Sequence, residues 1–361
     1  MLETYLNLSL HQPIQTSRRT ALKGGAAAVL GLTMMGSRAF AATGDSVDAM
    51  TLETVLGKVQ GTAVHKALAH EHMFVDFFGP TDPNYMNVDW DAVGGTCTNR
   101  ALELLAMDVN LIIEWTNIGV GRNVLLLRDI SRKTGMNIVS PTGIYKSLIP
   151  PSFAGMTVEQ IAGRFILDLT QGVDETSIKS GFIKIATTET GPTETDTMIH
   201  RAAAIAAKET GSTIALHSPH YETTLQVIKT LQAEGVDLAR FVWGHAQPST
   251  LDQHIEIAGM GATVQCDAIS ARDDPFFHGP TDDASMLDRV EGMVKAGFDK
   301  QILVSADASA FVNPQKYQYD RDSNYVHRYF ESQLVTRLGA DIATRVLRDN
   351  VIRAFRAPGA A

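Results

Sequence analysis

Short apolar runs alternate along the chain with longer stretches whose apolar positions recur at helical spacing. The runs span residues 64–69, 110–116, 137–142, 181–187, 213–217, 240–245, 261–267 and 301–307. They are rich in β-branched residues and apolar almost throughout, the pattern of parallel strands buried on both faces. The intervening stretches have readable helix ends. Thr157-Val158-Glu159-Gln160 is a capping-box pattern ahead of 161–169. The Ala-rich stretch 195–210 stops at Gly211, and 122–134 stops at Gly135. Ser249 is expected to cap 250–258. No long linker, low-complexity tract or tandem repeat follows residue 60. Eight strands, each followed by a helix, predict an α/β chain folded as a (β/α)8 TIM barrel. The alternative, a doubly wound open sheet, lacks a glycine fingerprint after its first strand.

The first 41 residues read differently. Ser17-Arg18-Arg19-Thr20-Ala21-Leu22-Lys23 is a twin-arginine pattern, followed by an uncharged run from Gly24 to Ser37 and the small-x-small sequence Ala39-Phe40-Ala41. The run is too short to span a membrane, which takes roughly 20 apolar residues. The expectation is a signal peptide over 1–41, twin-arginine export to the periplasm, and a single barrel domain over 42–361 with no membrane attachment after cleavage. The formal charge of the whole chain is −9, and the leader holds four basic residues against one acidic residue. The remainder is therefore more acidic still, which argues against nucleic acid as a partner. Cys97 and Cys266 can pair in an oxidising compartment or stand as separate buried thiols. Neither reads as catalytic.

Chemistry-bearing residues fall at the ends of the runs. His70 and His72 flank Glu71, and their spacing in a strand sends both imidazoles to one side while Glu71 points outward as a surface or helix partner. His217 and His245 close two further runs, and Asp307 closes the last. A carboxylate there is costly to bury without a cation or hydrogen-bond donors. Lys184 sits in mid-strand between Ile183 and Ile185. A lysine in that position either pairs with an acid or is converted, because burial favours the neutral amine. A neutral amine adds carbon dioxide to give a carbamate, an anionic oxygen ligand. In a barrel the C-terminal strand ends meet on one face, so these residues predict a metal site and a hydrolase.

The chain resembles the phosphotriesterase-like branch of the amidohydrolase superfamily, which includes bacterial phosphotriesterases and phosphotriesterase-like lactonases. The resemblance runs from about Leu52 to Phe355. It rests on His70-Glu71-His72, Gly121-Arg122-Asn123, PTGIY at 141–145, GFIKIATTE at 181–189, HRAAAIAAKETG at 200–211, WGH at 243–245 and SAD at 305–307. Spacing agrees, with 112 residues from His72 to Lys184, then 33 to His217, 28 to His245 and 62 to Asp307. The resemblance implies two divalent metal ions per chain. His70, His72 and Asp307 would hold the buried ion, His217 and His245 the more exposed one, and N6-carboxylated Lys184 would bridge them with a hydroxide. Imidazole and carboxylate donors suit zinc, with cobalt, manganese or iron compatible. Asp307, Lys184 and Tyr145 take catalytic roles, Asp307 accepting the nucleophile's proton. Relatives are commonly dimers, so a homodimer is implied.

The surroundings of that set depart from the resemblance. Phosphotriesterases carry an acid where this chain has Pro248 and a histidine where it has Ala268, so their proton relay is absent. Lactonases have an arginine at the Ala268 position, which does not match either. Asp267 is retained, while Ala306 replaces the usual His or Asn. Tyr145 matches a tyrosine that lactonases use against the lactone ring, or is a packing aromatic at the rim. Phe311, in the aromatic-rich loop 308–319, is expected to contact the substrate. Trp115 and Trp243 read as packing residues, and His220 as no ligand. The expected substrate is a small-molecule ester: a lactone or a carboxylic or aryl ester attacked by the bridging hydroxide. An organophosphate phosphotriesterase is the first alternative, and a non-catalytic metal- or ligand-binding barrel the second.

Overall fold

The computed structural model describes residues 46–146, 148–270, 281–315 and 321–357. The leader over 1–41 and residues 316–319 of the loop expected to shape the substrate pocket lie outside the described residues. Eight parallel strands form the centre: β1 Lys66–Asp76, β2 Val109–Glu114, β3 in two pieces (Asn137–Val139 and Pro141–Thr142), β4 Phe182–Ala186, β5 Ile214–His217, β6 Phe241–Gly244, β7 Thr263–Cys266, and β8 in two pieces (Ile302–Val304 and Ser309–Asn313). One sheet runs from the second piece of β3 through β4, β5, β6 and β7 to the first piece of β8. The other runs from the first piece of β3 through β2 and β1 to the second piece of β8. Because β3 and β8 each contribute to both sheets, the two join into a closed (β/α)8 barrel.

Two cores follow from strand alternation. Ala67, Leu111, Phe182, Ala215, Val242 and Leu303 fill the barrel interior. Leu68, Ile112, Ile183, Ile214, Trp243 and Ile302 face the helices. Leu52, from the antiparallel hairpin of Thr51–Thr54 and Gly57–Gln60, and Phe355 also join the inner cluster. Phe182 and Lys184 share the inward side of β4, which explains how a lysine sits in mid-strand between isoleucines that pack on helices. Strict alternation would send His70 outward with Leu68. A register shift between Leu68 and Glu71 resets the phase, and the His70 ring stacks on inward-facing Trp115 at 3.8 Å.

The helices are α1 Trp90–Leu105, α2 Val124–Thr134, α3 Val158–Thr170, α4 Glu194–Thr210, α5 Tyr221–Ala233, α6 Leu251–Gly259 and α7 Asp283–Lys295, and further helical turns lie within 326–354. The capping box at Thr157 forms with Gln160, and Gly135 and Gly211 end their helices in the left-handed conformation. Two expected starts move. Thr250, not Ser249, caps α6, with Gln253 completing a capping box. Asn123 caps α2, so Arg122 lies outside the helix. Two strands also differ: β1 runs on past the histidine pair, and much of the expected loop 308–319 is the second piece of β8, paired with β1. Cys97 and Cys266 are separate buried free thiols. No helix among the described residues is long and apolar enough to cross a membrane.

Arg122 has a structural task instead. Its guanidinium is buried and bonds Asp168 Oδ2 at 2.7 Å and Asp174 Oδ2 at 3.3 Å, while Thr142 Oγ1 donates to the same Asp168 oxygen at 2.7 Å. This ties α3 to the segment leading into α2 and to the end of β3. Removing one partner strands a buried charge, so Arg122→Met is expected to lose about 3–5 kcal/mol in urea unfolding. The double change Arg122→Met with Asp168→Leu should lose clearly less, and equal losses would count against the ion pair as the cause.

Candidate metal centre

The C-terminal strand ends bring His72, Lys184, His217, His245 and Asp307 to the wall of one cavity of about 120 Å³, with His70 directly behind. Asp307 Oδ1 lies 3.2 Å from His70 Nε2 and 3.1 Å from His72 Nε2. Donors at 2.0–2.1 Å from one tetrahedral ion sit about 3.3 Å apart, so both separations from Asp307 are those of ligands to a single cation, and the three residues offer ligand atoms within 4.8 Å of one another. His70 Nε2 is buried and has no hydrogen-bond partner among the described residues, as expected of a nitrogen whose partner is an ion. The His217 and His245 rings are 4.2 Å apart, and Tyr145 Oη is 3.2 Å from His217 Nε2. The donor set therefore fits divalent metal.

Residues behind the rings fix which nitrogen faces the cavity. Asp267 takes the Nδ1 of both His70 and His245 at 2.6 Å. Thr116 Oγ1 is 2.8 Å from His72 Nδ1 and donates its own proton to Glu114, so His72 donates from Nδ1. His70, His245 and Asp267 also lie close enough together to hold an ion. Both Asp267 oxygens are occupied by ring N–H groups, however, which makes this carboxylate an orienting group and not a ligand. Glu71 is not the surface residue expected. It is buried and accepts from Ser305 Oγ, Ala306 N, Ala308 N and Ser323 Oγ at 2.8–3.1 Å.

Burial and charge set the protonation states. Burial pushes Lys184 down to about 8, against the pull of Asp307 and Glu114. Its Nζ lies 5.2 Å from the Trp115 ring centre and 5.4 Å from that of Tyr145. Burial takes His70 down to about 3, although Asp307 and Asp267 pull the other way. Asp307 is held well below the usual carboxylate range: burial opposes this, but His70 and Arg321 prevail. Burial raises Glu71 to about 7 and Glu114 to about 8.

Sequence reasoning missed Arg321, whose Nη1 donates to Asp307 Oδ2 at 2.7 Å and to the Asp307 carbonyl at 2.8 Å while lining the cavity. No local signal marks a lone arginine in a loop. Phe311 is not among the cavity-lining residues, and its ring lies 6.1 Å from that of Phe74. Val75, Phe77, Val120 and Tyr145 supply the apolar wall. Trp115 and Trp243 are fully buried packing residues, and His220 lines a separate groove. Gly143, at φ 104°, lets β3 pass β4: a Cβ there would lie 1.9 Å from the Lys184 carbonyl oxygen.

Residues 50–353 match the profile of the phosphotriesterase family. The chain belongs to that family. An aryldialkylphosphatase of Saccharolobus solfataricus is 31% identical over 245 residues, covering 66% of this chain and 76% of the relative. The N-acetyltaurine hydrolase of Homo sapiens is 25% identical, covering 83% and 96%. A solved triple mutant of an organophosphorus hydrolase from Deinococcus radiodurans superposes with a TM-score of 0.75 at 25% identity, over 85% and 98% of the two chains. Family members are binuclear metal hydrolases, and the His and Asp groups here are candidates for that centre.

In this phosphotriesterase-family chain the state of Lys184 can be followed by pH. A lysine at about 8 is about one tenth neutral amine at pH 7 and about nine tenths at pH 9. In metal-free protein given 13C-bicarbonate, a carbamate carbon signal should grow across that interval and be missing in Lys184→Met. A signal equally strong in Lys184→Met would assign the carbamate elsewhere.

Proposed function

We propose that this hydrolase cleaves a lactone or a carboxylic or aryl ester of a small molecule, using two divalent ions held by His70, His72, Lys184, His217, His245 and Asp307. The observation that carries the reading is the convergence of all six side chains at one face of the barrel, five of them lining the same cavity. Zinc suits the donors best, and Lys184 would join the set as its carbamate. Bound there, such ions supply a water of lowered pKa and polarise the ester oxygen.

The chain's own residues do the rest. Asp307 presents Oδ1 to His70 and His72, while Arg321 holds Oδ2 and keeps the carboxylate ionised, ready to accept a proton at the cavity floor. Tyr145 carries a hydroxyl at the cavity wall, within hydrogen-bond distance of His217, and positions the ester beside it. Val75, Phe77 and Val120 exclude water around the acyl portion. Ala268 is buried and Pro248 has no ionisable group, so nothing at those positions passes a proton outward. That favours esters and lactones over efficient phosphotriester turnover. The phosphotriesterase alternative draws support from the aryldialkylphosphatase and organophosphorus hydrolase among the similar proteins. The twin-arginine pattern supports a periplasmic location for the mature enzyme.

Two measurements decide between the readings. Metal analysis of purified protein should find close to two ions per chain, and chelation should abolish turnover; protein without metal would instead support a non-catalytic barrel. On zinc-reconstituted protein, a panel of lactones, aryl esters and phosphotriesters should rank at least one lactone or ester above paraoxon in kcat/KM. Paraoxon far ahead of every ester would reverse the assignment.

A further inference from the structure

Asp267 follows β7, is fully buried, and stands behind the imidazoles instead of lining the cavity. Its two oxygens serve different rings. Oδ2 meets His70 Nδ1 and Oδ1 meets His245 Nδ1, both at 2.6 Å. Gln265 Nε2 donates to Oδ2 at 2.9 Å, and the His245 backbone N–H approaches the same oxygen at 3.3 Å. A carboxylate so surrounded by donors is an acceptor only. Each ring must therefore carry its proton on Nδ1 and turn the Nε2 lone pair towards the cavity. One of the rings, His70, stands beside Asp307 and His72; the other, His245, stands beside His217.

We infer that Asp267 is a positioning residue that locks the tautomers of His70 and His245 as a linked pair, so that one carboxylate prepares both halves of the centre. Its consequence for metal rests on the two-ion reading above; the tautomer lock itself does not. The identity of the residue matters because an amide cannot do the same work. Asparagine offers one acceptor oxygen and one donor nitrogen in the same shape. It can accept from one Nδ1–H, but towards the other ring it presents N–H. That ring must bare its Nδ1 and move its proton to Nε2, the atom that faces the cavity.

The test uses the full chain, metal-free, with 15N-labelled histidine and side-chain NMR. Wild-type protein should show His70 and His245 both protonated at Nδ1. In Asp267→Asn one of the two should switch to Nε2–H. His200 and His254 serve as controls for an intact fold, because their Nε2 atoms meet the Ala186 and Ala246 carbonyls at 2.9 and 2.7 Å and must carry protons in both proteins. Zinc titration then gives the consequence: two ions per wild-type chain, against one retained and one weakened on the order of 10- to 100-fold in Asp267→Asn. Asp267→Ala, which frees both rings, should weaken both ions. The inference is overturned if both rings of Asp267→Asn keep Nδ1–H while the controls are unchanged. It is likewise overturned if a ring switches and both zinc affinities stay at wild-type values. Wild-type protein that takes up no zinc, yet shows both rings protonated at Nδ1, would overturn the two-ion reading and leave the lock standing.

Discussion

The site depends first on the seam where the last barrel strand meets the first. His70, His72 and Asp307 come from its two sides, and their donor atoms reach ligand spacing only if β8 is held in register against β1. Glu71 is the clasp. Lying between the two histidines, it turns its carboxylate away from the cavity and gathers two hydroxyls and two backbone N–H groups from the β8 side. Backbone bonds add to it: Asp307 N donates to the His70 carbonyl at 3.1 Å, and His72 N to that of Ala308 at 2.9 Å. A buried carboxylate is tolerable only when its lone pairs are filled, and here the donors that fill them are the residues whose placement matters.

Backbone conformation adds a second constraint. His245, Ala268 and Asp307 all have positive φ, at 64°, 72° and 48°, a region non-glycine residues seldom occupy. His245 and Ala268 lie just beyond the ends of β6 and β7, and Asp307 lies in the break between the two pieces of β8, where the chain must turn a side chain inward. Such strain persists only where surrounding contacts over-determine it. At His245 and Asp307 those contacts are the Asp267 bridge and the Arg321 clamp.

What was legible in the sequence follows from how local each signal is. Strand positions, helix ends at Thr157, Gly135 and Gly211, and donors closing apolar runs are written in a few consecutive residues, and they gave the barrel and the ring of candidate ligands. Non-local effects stayed hidden. The register shift that turns His70 inward shows only in the pairing of β1 with β2. Glu71 looked like a surface residue because its donors lie more than 230 positions away. Arg321 and Asp267 matter through partners brought together only by barrel closure. Phe311 followed an aromatic pattern, but pairing with β1 set its ring near Phe74.

The close passage at Gly143 bears on how such a pocket can change over evolutionary time. Tyr145 stands two residues beyond a glycine whose missing side chain is what lets β3 lie against the Lys184 backbone. Remodelling that wall by substitution at Gly143 would press directly on a candidate metal ligand. Phe77 and Val120 line the cavity from the segments that follow β1 and β2. New substrate preferences in this lineage should therefore accumulate at lining side chains such as Phe77 and Val120, while the glycine of the β3 turn stays fixed.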